Sequence, residues 1–192
     1  MTMVLSIFGL SILSAFAGIT YIKPAVAAIE VAPVKEISII TPKLEVKTEI
    51  PAVKNHNKFL DDIGFRESSN NYKAVNQFGY LGKYQFGRKT LNAIGFDSIS
   101  NYEFLSNPEI QEEAMLVLLQ KNKHTLRREI KKYVGKTING IYITESGILA
   151  AAHLGGAGNV RKFFRKGHEF EDGNGTKMTS YMIRFSDYNL NL

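Results

Sequence analysis

Two spacings of apolar residues divide the chain. Val4 to Ile22 (VLSIFGLSILSAFAGITYI) is an almost wholly apolar run without charge, whereas beyond Asn55 apolar residues recur every three or four positions. The second pattern predicts a series of amphipathic helices. Phe59, Ile63 and Glu67 fall at i, i+4 and i+8, so one helical face carries two apolar residues and then a carboxylate. Asn70-Asn71 ends that helix, and a short helix from Arg88 is stopped by Gly95. Asn107-Pro108 reads as the N-cap and first residue of a helix that buries Ile110, Ala114, Met115, Leu118 and Leu119. Leu126, Ile130, Tyr133 and Val134 mark another, ended by Gly135. Thr144 caps a small-residue helix, ESGILAAAHL, which Gly155-Gly156 breaks. Val160 to Lys166 and Thr179 to Phe185 are the last helical stretches.

The segments between these helices are short. Gln77 to Gly87 (QFGYLGKYQFG) sets glycines between aromatics, which predicts an irregular loop or a small tight hairpin. Asn139-Gly140 is a turn between two short β-branched runs. The expected fold class is therefore mainly α, with at most a small β-hairpin, over residues 55–192. Residues 28–54 carry three prolines and alternating charged and β-branched residues. They read as an extended linker, with a strand around Ile37 to Ile40. No internal repeat is present.

The apolar run at the start concerns the compartment. Ala25-Val26-Ala27 follows it and suits signal-peptidase cleavage, which makes residues 1–27 a signal peptide. The run 4–22 is also long enough to span a bilayer as an uncleaved membrane anchor. Both readings carry the rest of the chain across a membrane, to the periplasm or cell envelope. The formal charge of +6 favours an anionic partner such as nucleic acid, a membrane face or a wall polymer. Export argues against nucleic acid, and no nucleic-acid motif is present. Without cysteine, disulfides and thiolate metal sites are excluded.

Glu67 is the residue with the clearest chemical use. Cleaving a glycosidic bond requires a proton at the leaving oxygen, and a carboxyl on an apolar face is shielded from water in the way such an acid needs. By spacing alone, an exposed surface glutamate would read the same. Three segments change that reading: Arg66-Glu67-Ser68-Ser69, then Gly82-Lys83-Tyr84-Gln85-Phe86-Gly87, then Ala151-Ala152-His153-Leu154-Gly155-Gly156-Ala157-Gly158-Asn159-Val160. In this order and spacing, the chain from about Asn55 to its C-terminus resembles the lytic transglycosylases of the soluble-transglycosylase type, within the lysozyme-like superfamily.

The resemblance implies a lysozyme-like helical domain that cuts the β-1,4 bond between N-acetylmuramic acid and N-acetylglucosamine in peptidoglycan strands. It assigns Glu67 as general acid and then base. It makes Ser68 the serine beside that acid and Gln85 the cleft glutamine, with Tyr80 and Tyr84 as flat faces for sugar rings. His153 and Asn159 fall in the third, turn-forming segment as further substrate-binding residues. His153 stands where tyrosine is usual, Leu154 where asparagine is usual and Ala157 where proline is common. The product implied is a 1,6-anhydro sugar made with one carboxylate and no cofactor. No Asp or Glu lies between Glu67 and Asp97, which agrees with that mechanism in part. Glu145, readable as a helix N-terminal charge, and Asp187, readable as a solvated tail residue, remain second acids from elsewhere in the fold. A hydrolytic muramidase and a non-catalytic wall-binding or secretion-associated protein of the same fold are the alternatives. Other signals are weaker. The histidines show no zinc-binding spacing, so no metal site is expected. Asp172, Asn174 and Thr176 read as a glycine-rich surface turn, and the basic run from His124 to Lys132 as the solvated face of a helix.

Overall fold

A computed structural model describes residues 54–192. The signal segment or anchor and all of the linker except Lys54 lie outside the described residues. The described residues are mainly helical, with one small antiparallel sheet.

Helix α1 (His56–Ser68) is capped by Asn55, whose side chain accepts from the Lys58 amide at 3.0 Å. It stops where Ser69 turns left-handed at φ 55°. Phe59 and Ile63 are fully buried, so the face that the sequence marks is the one that packs. Helix α2 (Arg88–Ala93) follows the glycine-rich loop. Helix α3 (Asn101–Ser106) is an addition to the sequence expectations: Ser100 caps it, but only Phe104 is buried, too little to leave a periodic signal. Helix α4 (Pro108–Thr125) starts as expected, with Asn107 accepting from the amides of Glu109 and Ile110. Helix α5 (Arg127–Tyr133) departs from its expected solvated face at one residue. Glu129 is buried, 3.4 Å from Arg161, while the lysines and arginines of α5 stay exposed.

Strands β1 (Thr137–Ile138) and β2 (Ile141–Tyr142) pair around Asn139-Gly140, both with positive φ as such a turn requires. Helix α6 (Glu145–Lys166) is central. Leu149 and Ala150 pack on one core, around Phe59, Tyr84, Met115 and Phe185. Ile148, Ala151 and Ala152 pack on a second core, around Leu126, Ile143, Val160 and Met182. A helix buried on both sides needs small residues where its neighbours approach, which explains the ESGILAAAHL composition. The break expected at Gly155-Gly156 is present, as a kink between two helical halves. Gly156 takes φ 77° and ψ 153°, a conformation essentially restricted to glycine, and the helix resumes beyond it. Helix α7 (Met178–Arg184) packs on α6, and the tail returns to the domain start, where the Asn189 amide donates to the Lys54 carbonyl.

Candidate active site

The C-terminal turn of α1, the loop from Asn76 to Gly87, the kink of α6 and the loop before α7 surround a cavity of about 430 Å³. That volume falls in the range of small-molecule sites. Glu67 lines it and keeps 15% of its side-chain surface. The Tyr181 hydroxyl donates to Glu67 Oε1 at 2.6 Å, and Nε2 of His153 lies 3.7 Å from the same oxygen. Among the described residues no hydrogen bond reaches Oε2, so the carboxylate is held from one side.

His153 is only 6% exposed and lines the cavity wall beside Glu67. Burial pushes its imidazole below the ordinary value, against the opposing pull of the Glu67 charge and the Tyr84 backbone. It is therefore a neutral imidazole beside Glu67 at pH 7, and it meets the Phe86 ring edge to face with centroids 6.1 Å apart. Burial also raises the Tyr181 phenol, reinforced by the negative charge of Glu67, so its proton stays in place as the donor.

The glycine-rich loop is anchored from below. Gln111, fully buried, accepts from the Lys83 amide and donates to the carbonyls of Tyr72 and Phe104, each at 2.8 Å. A Cβ at Gly82 would run into the Gln111 carboxamide, so glycine is required for this approach. Lys83 is buried and bonds Glu112 at 2.9 Å and Asp61 at 3.2 Å. Burial alone would raise the Glu112 carboxyl. Donors from Tyr72, Tyr84 and Lys83 outweigh it and hold the group below its usual range.

The residues expected at the site divide on this geometry. Glu67, Tyr80, Gln85 and His153 line the cavity. Gln85 adopts φ 51°, a left-handed conformation unfavourable for a side-chain-bearing residue, and its Nε2 donates to the Gly82 carbonyl. Tyr80 is exposed at the rim, edge to face with Phe78 at 6.5 Å.

Tyr84 corrects the sequence reading. It is fully buried, with its hydroxyl on Glu112 at 2.6 Å, and offers no face to a sugar. Its neighbour Gln85, in the left-handed conformation, lines the cavity instead. Ser68 also points away from the cavity. Its hydroxyl donates to the Lys83 carbonyl at 2.8 Å and accepts from the Asn71 amide, tying the end of α1 to the loop. The Asn159 Nδ2 donates to the Gly155 carbonyl at 2.9 Å, beside the kink at Gly156. Both are supports of the site and do not line it.

Several lining or supporting residues escaped the sequence reading. Tyr181 sits among Met178, Met182 and Phe185 and has the spacing of a core residue. Phe78 carries no motif. Asn122 lies on the buried face of α4. Asp172 belongs to a turn that its own Oδ1 organises by accepting from the amides of Asn174 and Thr176. That turn forms part of the cavity wall and adjoins the aromatic loop, since a Cβ at Gly173 would lie 3.2 Å from the Phe78 ring. The gap in acidic residues after Glu67 therefore holds along the sequence but not in space, because Asp172 brings a second carboxylate to the cavity.

Among the described residues no helix is long and apolar enough to cross a membrane, and no cluster of three or more histidine, aspartate or glutamate residues could hold a metal ion. Comparison with protein-family models, with curated proteins and with solved structures returns no match to the chain.

Proposed function

We propose that the protein is an exported enzyme that cuts peptidoglycan glycan strands, as a lytic transglycosylase with Glu67 as its acid and base. The observation that carries the reading is the setting of Glu67. It is a mostly buried carboxylate at the wall of a sugar-sized cavity, steered by a tyrosine donor and a neutral histidine, with an aromatic rim nearby. In the proposed reaction Glu67 gives its proton to the glycosidic oxygen as the bond to the muramyl anomeric carbon breaks. The carboxylate then takes the proton of the muramyl 6-hydroxyl, whose oxygen closes on that carbon. The proton that Glu67 delivers to the leaving oxygen is replaced by the one it takes from the 6-hydroxyl, and the product is a 1,6-anhydro sugar.

Asp172 favours a second reading, hydrolysis. A carboxylate elsewhere on the cavity wall could orient a water in place of the 6-hydroxyl. The product separates the two. Purified protein incubated with peptidoglycan sacculi is expected to release muropeptides with anhydro ends by mass spectrometry. Reducing ends would transfer the assignment to a muramidase. Release of neither by the wild type would leave a wall-binding or secretion-associated role for the same fold. Glu67→Gln is expected to lose activity by a factor of about 10² to 10⁴ while staying folded. Retention of near-wild-type turnover would remove Glu67 from the mechanism.

A further inference from the structure

The positive charge of the chain is gathered in one place. From Lys123 to His168 there are ten lysines and arginines against two glutamates, a surplus larger than the +6 of the whole chain. Both glutamates are taken: Glu145 pairs with Lys123 at 2.8 Å, and the buried Glu129 with Arg161 at 3.4 Å. Arg128, Lys131, Lys132 and Lys136 on one side, and Arg165 and Lys166 on the other, are exposed. Among the described residues none of these six meets a carboxylate. The two sides form one surface. The Tyr133 and Phe164 rings stack at 4.3 Å and fasten α5 to the last turns of α6. Arg128, Lys132 and Arg165 line a single cleft of about 210 Å³ with those rings and Glu129. None of these residues lines the cavity at Glu67. Like charges gathered without counter-charges repel one another, and an anionic partner relieves that repulsion.

Two apolar side chains stand beside the cations. Val134, 41% exposed, follows Tyr133, and Tyr142, 60% exposed, pairs across the hairpin with Thr137, the neighbour of Lys136. A soluble polyanion offers them no hydrocarbon, whereas the interface of a bilayer does. We propose that this face docks the domain on an anionic lipid bilayer. The cleft of Arg128, Lys132 and Arg165 receives a lipid phosphate, and Val134 and Tyr142 enter the interface. The start of the chain fits such a partner. Left uncleaved, the apolar run Val4 to Ile22 would hold the domain at a bilayer, because the roughly 30 residues between it and Lys54 reach at most about 100 Å even fully extended. The proposal adds a docking surface to the glycan-cutting reading and does not depend on Glu67.

Cosedimentation with lipid vesicles tests it, on residues 28–192, which keep every described residue and both cores but not the apolar run. The protein is expected to bind vesicles of phosphatidylglycerol and phosphatidylcholine in equal parts, and to stay in solution with phosphatidylcholine alone. Lys132→Gln with Arg165→Gln is expected to weaken partitioning about 25-fold, since each cation at an anionic surface is worth about fivefold. Lys73→Gln with Lys89→Gln removes the same charge elsewhere on the surface and should cost about twofold at most. Melting temperatures are expected to stay with the parent, because all four side chains are exposed. Should the first pair melt lower, Lys131→Gln with Lys166→Gln carries the same test. Tyr142→Ser should weaken vesicle binding about fivefold and leave binding of inorganic polyphosphate unchanged. Equal binding to both kinds of vesicle, or equal losses from the two pairs of substitutions, would overturn the proposal. So would a Tyr142→Ser protein that binds vesicles like its parent, since the face would then be a site for soluble polyanions.

Discussion

The Tyr181 hydroxyl donates to Oε1 of Glu67 at 2.6 Å, joining α7 to the end of α1 across 114 residues of sequence. The bond fixes which carboxylate oxygen is occupied and leaves the other for the cavity. Tyr181→Phe is expected to lower kcat about tenfold, because the carboxylate then samples orientations that do not reach the scissile bond. Stability should fall by only about 1 kcal/mol, since Glu67 is near enough to the cavity for water to replace the phenol. Steady-state kinetics together with thermal unfolding checks both parts. An unchanged kcat would show that the phenol serves packing alone.

His153 makes stability depend on pH in a definite direction. Its folded-state value is lowered from 6.5 by burial, and that of His56 is lowered for the same first reason. Below 6.5 the unfolded chain takes up protons that the folded chain refuses, so the stability linked to these groups is present above 6.5 and declines as pH falls below it. The melting temperature is expected to drop between pH 6.5 and 5, and His153→Phe should flatten part of that slope, leaving the share of His56. Glu112, whose carboxyl its three donors hold below the ordinary glutamate range, contributes a separate loss at more acid pH. A melting temperature constant from pH 7 to 5 would contradict a buried neutral His153.

The Lys83–Glu112 pair carries the glycine-rich loop. Lys83→Met leaves Glu112 without its ammonium but still bonded by the Tyr72 and Tyr84 hydroxyls. Breaking a buried pair from one side costs about 3–5 kcal/mol, and the lower end applies because the Glu112 side chain is 35% exposed. Chemical denaturation is the measurement. Lys83→Met combined with Glu112→Leu should recover part of the loss, since no unpaired charge then remains. A single variant within 1 kcal/mol of the wild type would mean that the loop is held mainly by Gln111.

The sequence discloses this molecule unevenly, and for physical reasons. Asn107-Pro108 and Asn139-Gly140 announce themselves because capping and turn geometry admit few residue types. Phe59, Ile63 and Glu67 are legible because a helix converts spacing into a shared face. The aromatics of the glycine-rich loop are not. No period tells which side of an irregular segment a ring will take, and Tyr84 is buried while Tyr80 is exposed. Tyr181, Asn122 and Asp172 are hidden differently. Asn122 and Asp172 reach the cavity, and Tyr181 reaches Glu67, by tertiary packing, and the local sequence of each is that of a core helix or a surface turn.

Gly87 offers a test of the rim that leaves the core alone. Its φ of −76° and ψ of 143° suit any residue, so the backbone gives no reason for glycine. A side chain there would instead meet the Tyr80 ring, with its Cβ 2.9 Å from Cε1. Gly87→Ala is expected to displace that exposed ring with almost no loss of stability, raising KM for glycan about three- to tenfold at unchanged kcat, in line with the energy of one aromatic contact. Gly95→Ala is the control. Gly95 has φ 94° and open space around it, so its variant should lose about 1 kcal/mol of stability and keep its KM. If Gly87→Ala leaves KM unchanged, Tyr80 does not hold a sugar, and the aromatic rim drops out of the substrate path.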